Sequence, residues 1–351
     1  MRSRFLAEQL LSARDGSLLQ ATEVAGALVG RAVEVSRFMT GGRNSRIWRV
    51  RSGERAFALK QYPPRSDDPR DRLSTEVGAL RLMERHRIDM VPRVLGVDRE
   101  QGYALLSWID GSDVTEPRDA DIDAAVGFLL AIHGLRTGAD AAEQPLAAEA
   151  CLCGEELERQ IVERLTQLRT IAAKESYLID FIEHSVVQRL AVGSRVARQQ
   201  MAAGGLAFSA ELPQERRSVV PSDFGFHNSL RRSDGSLAFL DFEYFGWDDP
   251  VKLTADILLH PGRPLPAPQR KRFREAAARL YGDDPAFASR LTAYLPLFGL
   301  RWVLILLNEF IPERWQRRVV AGETGNWSDV KARQLSRARD YLASLPEKLE
   351  D

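Results

Sequence analysis

The spacing of apolar positions changes character along the chain, and the changes outline its architecture. Residues 4–14 and 18–29 repeat apolar side chains at helical intervals, parted by Asp15-Gly16 and closed by Gly30, where a left-handed residue commonly ends a helix. From Ala32 the period becomes two. Val33 and Val35 alternate, a loop follows over residues 40–45, then Ile47-Trp48-Arg49-Val50, a turn at Ser52-Gly53-Glu54, and the run RAFALKQY over 55–62. This predicts three strands in a meander. Past Tyr62-Pro63-Pro64 the pattern predicts a helix over 69–87 with Leu73, Val77, Leu80 and Met83 as its buried stripe. Residues 91–94 and 103–108 read as two more strands, completing an antiparallel sheet of about five. Beyond Ile109-Asp110-Gly111 helical spacing dominates, over 118–135, 152–172, 175–203, 250–259, 267–281, 286–311 and 328–345, with a loop over 204–217. The expected chain is α+β: a helical cap (1–30), a small antiparallel-sheet lobe (31–106) and a larger, mostly helical lobe (107–351).

One stretch interrupts the helical lobe. Residues 221–243 read PSDFGFHNSLRRSDGSLAFLDFE, and two short apolar-polar runs, 228–232 and 237–241, flank Ser233-Asp234-Gly235-Ser236. Asp-Gly between such runs predicts an antiparallel hairpin. With Asp234 and Gly235 as a two-residue turn, or a symmetric loop over 233–236, Asn228 faces Asp241. Opposed Cβ atoms lie roughly 4.5–5.5 Å apart on one face, so an amide oxygen and a carboxylate converge, as Mg²⁺ requires when phosphate oxygens and waters complete its shell. Asp223 lies five residues before Asn228, on a loop that packs Phe224, Gly225, Phe226 and His227 between them. A carboxylate so held suits the orienting of an acceptor hydroxyl beside a metal. A surface hairpin with a capping aspartate is the plainer alternative.

In the third strand, Ala58 and Lys60 share the face opposite Phe57 and Leu59, so a lysine stands beside a small residue that leaves room for a ligand. Glu76 falls at the edge of the helix stripe. A carboxylate half inside an apolar face requires a cationic partner, and Lys60 is the candidate; a solvated flank is the alternative. The loop carrying Gly41 and Gly42 can offer backbone N–H groups to phosphate, although a plain hairpin turn is the more frequent explanation of a glycine pair.

Composition narrows the partners. The 351 residues hold 49 Lys plus Arg and 49 Asp plus Glu, a balance with no global attraction for nucleic acid or an anionic membrane, so a small-molecule partner is expected. The two cysteines, Cys151 and Cys153, are too close to staple the fold and form no zinc set; a reducing, cytoplasmic location is expected. Glu8 and Arg14 interrupt the basic-then-apolar N-terminus, which argues against a signal peptide. The apolar run 297–311 contains Arg301, Asn308 and Glu309 and reads as a buried helix, not a membrane span.

A meander with a glycine loop, a strand lysine, a helix glutamate, a connector, and a helical lobe carrying D-x4-N followed by D-x-E resembles the protein-kinase-like bilobal fold. The phrase DFEYFGWDDPVKLTADILLHP narrows this: over roughly residues 30–312 the chain resembles the aminoglycoside phosphotransferase and choline kinase family of small-molecule kinases. The resemblance implies transfer of the γ-phosphate of ATP to a small-molecule hydroxyl, with Mg²⁺. It implies Asp223 as catalytic base, Asn228 and Asp241 as metal ligands, and Glu243 where the family often has a second acidic residue, either for a second metal or structural. It further implies Lys60 on the α- and β-phosphates, Glu76 as its partner, Ala58 against adenine, residues 106–108 (with Ser107 and Trp108) as the adenine-binding connector, and Gly42 in the phosphate loop.

Two departures stand out. The family usually has histidine two residues before the catalytic aspartate, and this chain has Pro221, whose rigidity can support the loop instead. The glycine loop also lacks the fuller pattern of protein kinases. For the acceptor, Arg301, Asn308, Glu309 and His260 are candidate contacts for a polyol, sugar or phosphorylated compound, or else close the lobe interior by hydrogen bonding. Glu155, Glu156 and Glu158 either attract an amine or suit their helix dipole, and Tyr244 and Trp247 read as packing. A non-catalytic nucleotide-binding scaffold on the same fold is the rival class. A protein kinase is the other, although no activation segment separates Asp241 from the helix at Pro250.

Overall fold

The computed structural model describes residues 17–38, 45–64, 70–172, 175–321 and 325–345. The expected helix over 4–14 and the glycine loop with Gly42 lie outside the described residues. Five strands form an antiparallel sheet in the order β1-β2-β3-β5-β4: β1 (Glu34–Phe38), β2 (Arg46–Ser52), β3 (Arg55–Gln61), β4 (Val94–Asp98) and β5 (Tyr103–Ser107). The fourth strand starts three residues later than the pattern predicts, because Val91-Pro92 packs as an approach segment and Pro92 cannot donate to a ladder.

Alternation along these strands loads the two faces differently. Trp48, Val50, Leu59, Tyr103 and Leu105 point outward and are covered by Ala21, Val24 and Ala25 of helix α1 (Ser17–Val29), which ends at Gly30 with φ +75°. Ala104 and Leu106 point the other way, with Lys60 and Ala58 as their cross-strand partners. On that inner side lies α2 (Arg72–Arg85), capped by the Asp71 carboxylate accepting from Ser74 N at 3.0 Å, with Leu73, Val77, Leu80 and Met83 buried as its stripe predicts.

The larger lobe is built from α3 (Asp119–Gly134), α4 (Ala139–Ala142), α5 (Gly154–Ala172), α6 (Ser176–Phe181), α7 (Val187–Ala203), α8 (Pro250–Leu259), α9 (Ala267–Leu280), α10 (Phe287–Leu306), α11 (Pro312–Ala321) and α12 (Trp327–Ser344). The segment expected as one helix over 175–203 is α6 and α7 joined by a π turn at Ile182–Val186. Helix α10 is central, packed on α5, α7, α8 and α12. The stretch Phe287–Phe310 is long and apolar enough to cross a membrane, yet 72% of its most apolar window is buried in the protein, and its arginines are paired inside: Arg290 with Asp249 at 3.0 Å and Arg301 with Asp256 at 2.8 Å. A core helix explains its apolarity.

Set into this lobe are two small sheets, β6-β8-β9 (Ser112–Asp113, Ser229–Arg231, Leu237–Phe239) and β7-β10 (Ser218–Val220, Gly246–Asp248). The hairpin β8-β9 is one residue out of the expected register. Ser229 pairs with Phe239 and Leu230 with Ala238, and the Leu240 N–H donates to the Asn228 carbonyl at 2.9 Å, so Asn228 stands opposite Leu240 rather than Asp241. The turn decides this. Arg232 N donates to Ser236 O at 2.8 Å around a three-residue loop whose last member, Gly235, has φ +86°, the geometry of a type I turn closed by a left-handed residue. Beneath the hairpin, Phe128 of α3 packs against Phe224, Phe239 and Phe242 at ring-centroid distances of 5.5, 4.6 and 6.0 Å. The phenylalanine of the loop and those of the strand therefore share one support.

Candidate active site

Lys60 projects from the inner face of β3 into a nest of carboxylates. Its Nζ lies 2.6 Å from Glu76 Oε2, 2.7 Å from Asp241 Oδ1 and 3.5 Å from Glu243 Oε2. The lysine and Glu76 are 4% and 1% exposed, so each charge depends on the other for compensation. Burial works to lower the Lys60 ammonium pKa, and Asp241 and Glu76 outweigh it, leaving it well above the usual value. The Tyr62 hydroxyl also donates to Glu76 Oε2 at 2.8 Å, and the Phe242 N–H to Oε1 at 3.3 Å. The sheet, α2 and the segment after β9 thus meet at one carboxylate.

Asp241 reaches this point by leaving its strand. With φ +68° it is one of four non-glycine residues in the left-handed region among the described residues, and its carboxylate reaches Lys60 through one oxygen. Burial, with the nearby negative charges of Glu76 and Asp223, raises its pKa against the pull of Lys60. Two residues on, Glu243 is 3% exposed and occupied at both oxygens: Oε1 by the Arg72 guanidinium of α2, Oε2 by the Ser45 hydroxyl at 2.9 Å.

On the other side, the Asp223 loop folds back on itself. Ser222 stands at φ +66°, and its hydroxyl accepts from Lys252 Nζ at 3.0 Å. Asn228 donates its amide N–H to the Asp223 carbonyl at 2.8 Å, which leaves its amide oxygen as the acceptor end. The Asp223 carboxylate itself accepts from His227 Nε2 at 3.1 Å. Burial alone would raise this carboxyl; the His227 bond and the positive charge of Lys252 hold it down at about 2. His227 stacks on His260, with centroids 4.0 Å apart and planes within 3°.

Among the described residues, two clusters each bring together three potential metal donors: Glu76, Asp241 and Glu243, and Asp223, His227 and His260. In the second, parallel stacked rings cannot both aim a lone pair at one ion, and His260 Nδ1 already accepts from the Gly262 and Arg263 N–H groups at 3.2 Å each. The first fits a hard cation at Asp241, whose side chain is 32% exposed and uses one oxygen on Lys60.

At the connector, Ala58 pairs with Leu106 across β3-β5. Ser107 is tied to the chain before β4: its N–H donates to the Arg93 carbonyl at 2.9 Å, and its hydroxyl accepts from the Arg93 N–H at 2.9 Å. Trp108 lies under the Arg49 guanidinium at 4.6 Å and donates through Nε1 to Asp110 at 2.8 Å. Arg49 is the cross-strand neighbour of Ala58, so a cation shares the face expected to cover a nucleobase.

Of the acceptor candidates, only His260 comes to Asp223. Arg301 is 3% exposed and forked onto Asp256 at 2.8 and 2.9 Å, and Glu309 is buried against Arg318; both close the lobe interior. Asn308 sits in the 3-10 turn Leu307–Phe310, where its carbonyl accepts from Ile311 N at 3.0 Å. Glu156 pairs with Arg159 and Glu158 with Arg198, and Trp247 packs with its indole N–H on the Ala141 carbonyl at 3.0 Å. Tyr244 lies under Arg72 at 4.9 Å.

The phosphotransferase enzyme family model matches residues 35–291, spanning both lobes and every residue of this cluster. The chain belongs to the phosphotransferase enzyme family. Among solved structures it is similar to spectinomycin phosphotransferase APH(9)-Ia in complex with ADP and spectinomycin (TM-score 0.60, 10% identity, 90% of this chain and 98% of that one). It is also similar to choline kinase LicA from Streptococcus pneumoniae (0.57, 16%, 92% and 98%) and to APH(2″)-IIa in complex with gentamicin (0.57, 14%, 92% and 95%). No curated protein matches the sequence. At these identities the phosphotransferase likeness extends to the protein-kinase-like α+β bilobal fold, with a small antiparallel-sheet lobe and a larger helical one.

Several contributors to this cluster escape a sequence reading. Arg72 and Tyr62 meet Glu243 and Glu76 only through long-range folding. The sequence assigns His227 no role beyond its place in the loop between Asp223 and Asn228. Its signal, a histidine four residues after an aspartate on a tight turn, is visible only once the turn is known.

Proposed function

We propose that the protein is a Mg²⁺-dependent kinase that transfers the γ-phosphate of ATP to a hydroxyl of a small molecule. The observation that carries the reading is Lys60, held at 2.6 Å from Glu76 and 2.7 Å from Asp241, which puts a fixed ammonium between the two lobes beside a partly exposed carboxylate. Lys60 meets the α- and β-phosphates. Adenine lies against Ala58 along residues 106–108, in the sheet lobe (31–106) and at its junction with the helical lobe (107–351). Asp241 and the Asn228 amide oxygen hold Mg²⁺, which when bound neutralises charge that develops on the transferred group. Asp223 stays ionised above about pH 2 and accepts a hydrogen bond from the acceptor hydroxyl, orienting it in line. Glu243 anchors α2 through Arg72 rather than taking a second metal, because both of its oxygens are occupied.

The two structural relatives that bind antibiotics and the choline kinase support a small hydroxyl- and amine-bearing acceptor class. The test is transfer of labelled phosphate from Mg-ATP across a panel of sugars, amino alcohols and aminoglycosides, with Asp223→Asn as control. Transfer that disappears in the control is expected. Tight Mg-ATP binding without transfer to any acceptor or to water would favour a nucleotide-binding scaffold.

A further inference from the structure

We infer that His227 is a positioning residue for Asp223, supplying through its side chain the support that Pro221 cannot. The inference rests on Asp223 being the group that orients the acceptor. Pro221 contributes only backbone: its carbonyl accepts from Asp223 N at 2.9 Å, and nothing in its ring can bond a carboxylate. The backbone of the loop is held by two further bonds, Lys252 to the Ser222 hydroxyl and Asn228 to the Asp223 carbonyl. Neither fixes the rotation of the Asp223 carboxylate. The described side chain that does is His227, at 3.1 Å from Oδ1.

The loop is shaped to deliver this ring. A 3-10 turn at Phe226–Asn228 folds His227 back toward Asp223, and Gly225 leaves the space: a Cβ there would stand 3.0 Å from His227 Nδ1 and 3.1 Å from Cε1. Because a carboxylate only accepts, Nε2 carries the hydrogen. The ring plane is set from behind by the stack on His260. His260 is itself fixed, its Nδ1 accepting from two backbone N–H groups and its ring in edge contact with Trp302 of α10 at 4.9 Å. A chain of contacts therefore runs from the central helix of the large lobe through two imidazoles to one carboxylate oxygen, leaving Oδ2 for the acceptor hydroxyl. Group positions that fix a reacting atom to within a fraction of an ångström affect the rate far more than the affinity.

The test is steady-state phosphate transfer from Mg-ATP, to the acceptor that turns over fastest in the panel or to water if none does, with His227→Ala, His227→Gln and Asp223→Asn. The amide nitrogen of glutamine can take the place of Nε2. The expected result is a kcat about 10- to 100-fold lower for His227→Ala with KM for ATP within about twofold of wild type, and recovery to within about threefold by His227→Gln. Unchanged kcat in His227→Ala, equal loss in both His227 variants, or a change confined to acceptor KM would overturn the inference while leaving Asp223 in its role. Full transfer by Asp223→Asn would remove that role and the inference with it. Fluorescence-detected ATP binding by each variant separates loss of positioning from loss of folding.

Discussion

The Arg72 guanidinium, from the first turn of α2, is bonded to Glu243, two residues beyond Asp241, and both side chains are almost fully buried. One turn further along the same helix, Glu76 holds Lys60 of the sheet. Helix α2 is thereby anchored at two points with opposite charge order: a cation of the helix to an anion of the large lobe, and an anion of the helix to a cation of the small lobe. Movement of α2 would break both buried pairs together, so the Lys60 ammonium and the Asp241 carboxylate keep a fixed spacing only while α2 is in place.

This arrangement separates a stability role of Lys60 from a catalytic one. Lys60→Met leaves Glu76 buried without its cation and is expected to lower unfolding free energy by about 3 kcal/mol, in the range for breaking a buried pair. Adding Glu76→Gln removes the orphaned charge and keeps an oxygen for the Tyr62 hydroxyl, so urea denaturation should show part of that loss recovered. Phosphate transfer should be absent in both variants. Recovery of activity along with stability would show that Lys60 serves the fold alone.

The Arg72 anchor predicts a different signature for Glu243. Glu243→Gln is expected to lower the melting temperature by several degrees while the Mg²⁺ concentration giving half-maximal transfer stays within about twofold, since the interaction lost is with Arg72. A metal ligand removed from the site would instead shift the Mg²⁺ requirement by 10-fold or more. Titrating transfer against Mg²⁺ in the two proteins distinguishes the outcomes.

How far the sequence revealed these features depended on the range of the interaction. The five strands, α2 and its buried stripe were legible because each is set by alternation or helical spacing within a short window. Lys60 and Glu76 were legible as a pair because a carboxylate in an apolar stripe has an energetic need that few nearby residues can meet. The hairpin register was not, since Ser-Asp-Gly-Ser is compatible with loops of two, three or four residues and a one-residue difference moves every opposition. Arg301 offered itself as an acceptor contact because its partner, Asp256, lies 45 residues earlier on another helix and shows no local pattern. The Asp241 backbone, at φ +68°, had no sequence signal, because aspartate visits the left-handed region more readily than most side chains but far too seldom for its presence to mark that conformation.

The register finding can be checked at the turn. Gly235 at φ +86° closes the three-residue loop, and a side chain there is strained. Gly235→Ala is expected to cost about 1–2 kcal/mol in urea denaturation, and Gly235→Asn clearly less because asparagine tolerates the left-handed region. In the two-residue turn that is one of the alternatives the sequence allows, Asp234 and Gly235 would both take positive φ, so Gly235→Ala does not separate the registers; here Asp234 lies outside the left-handed region, and Asp234→Gly, which would relieve strain in that turn, should instead destabilise. Its Oδ1 accepts from Ser236 N at 2.9 Å and Ser236 Oγ at 2.7 Å, and Asp234→Ala should remove a further ~1 kcal/mol.

The acid limit of stability is expected to be set in part by His133 of α3. Its Nδ1 lies 3.0 Å from the Ser218 hydroxyl, its ring is edge-on to Tyr281 at 5.0 Å, and only 6% of the residue is exposed. Burial, with Arg136 close by, lowers its pKa to about 4 from an ordinary value near 6.5. The unfolded chain therefore takes up a proton at His133 as pH falls through about 6.5, whereas the folded protein resists until about 4. Stability from this residue is complete above pH 6.5 and declines as the pH falls from there toward 4. Urea denaturation at pH 7.5 and pH 5 should show a loss in the wild type that is smaller in His133→Phe, in which nothing titrates. Ser218 remains satisfied in that variant because its hydroxyl donates to the Val219 carbonyl at 3.1 Å. An equal loss in the two proteins would place the acid sensitivity elsewhere.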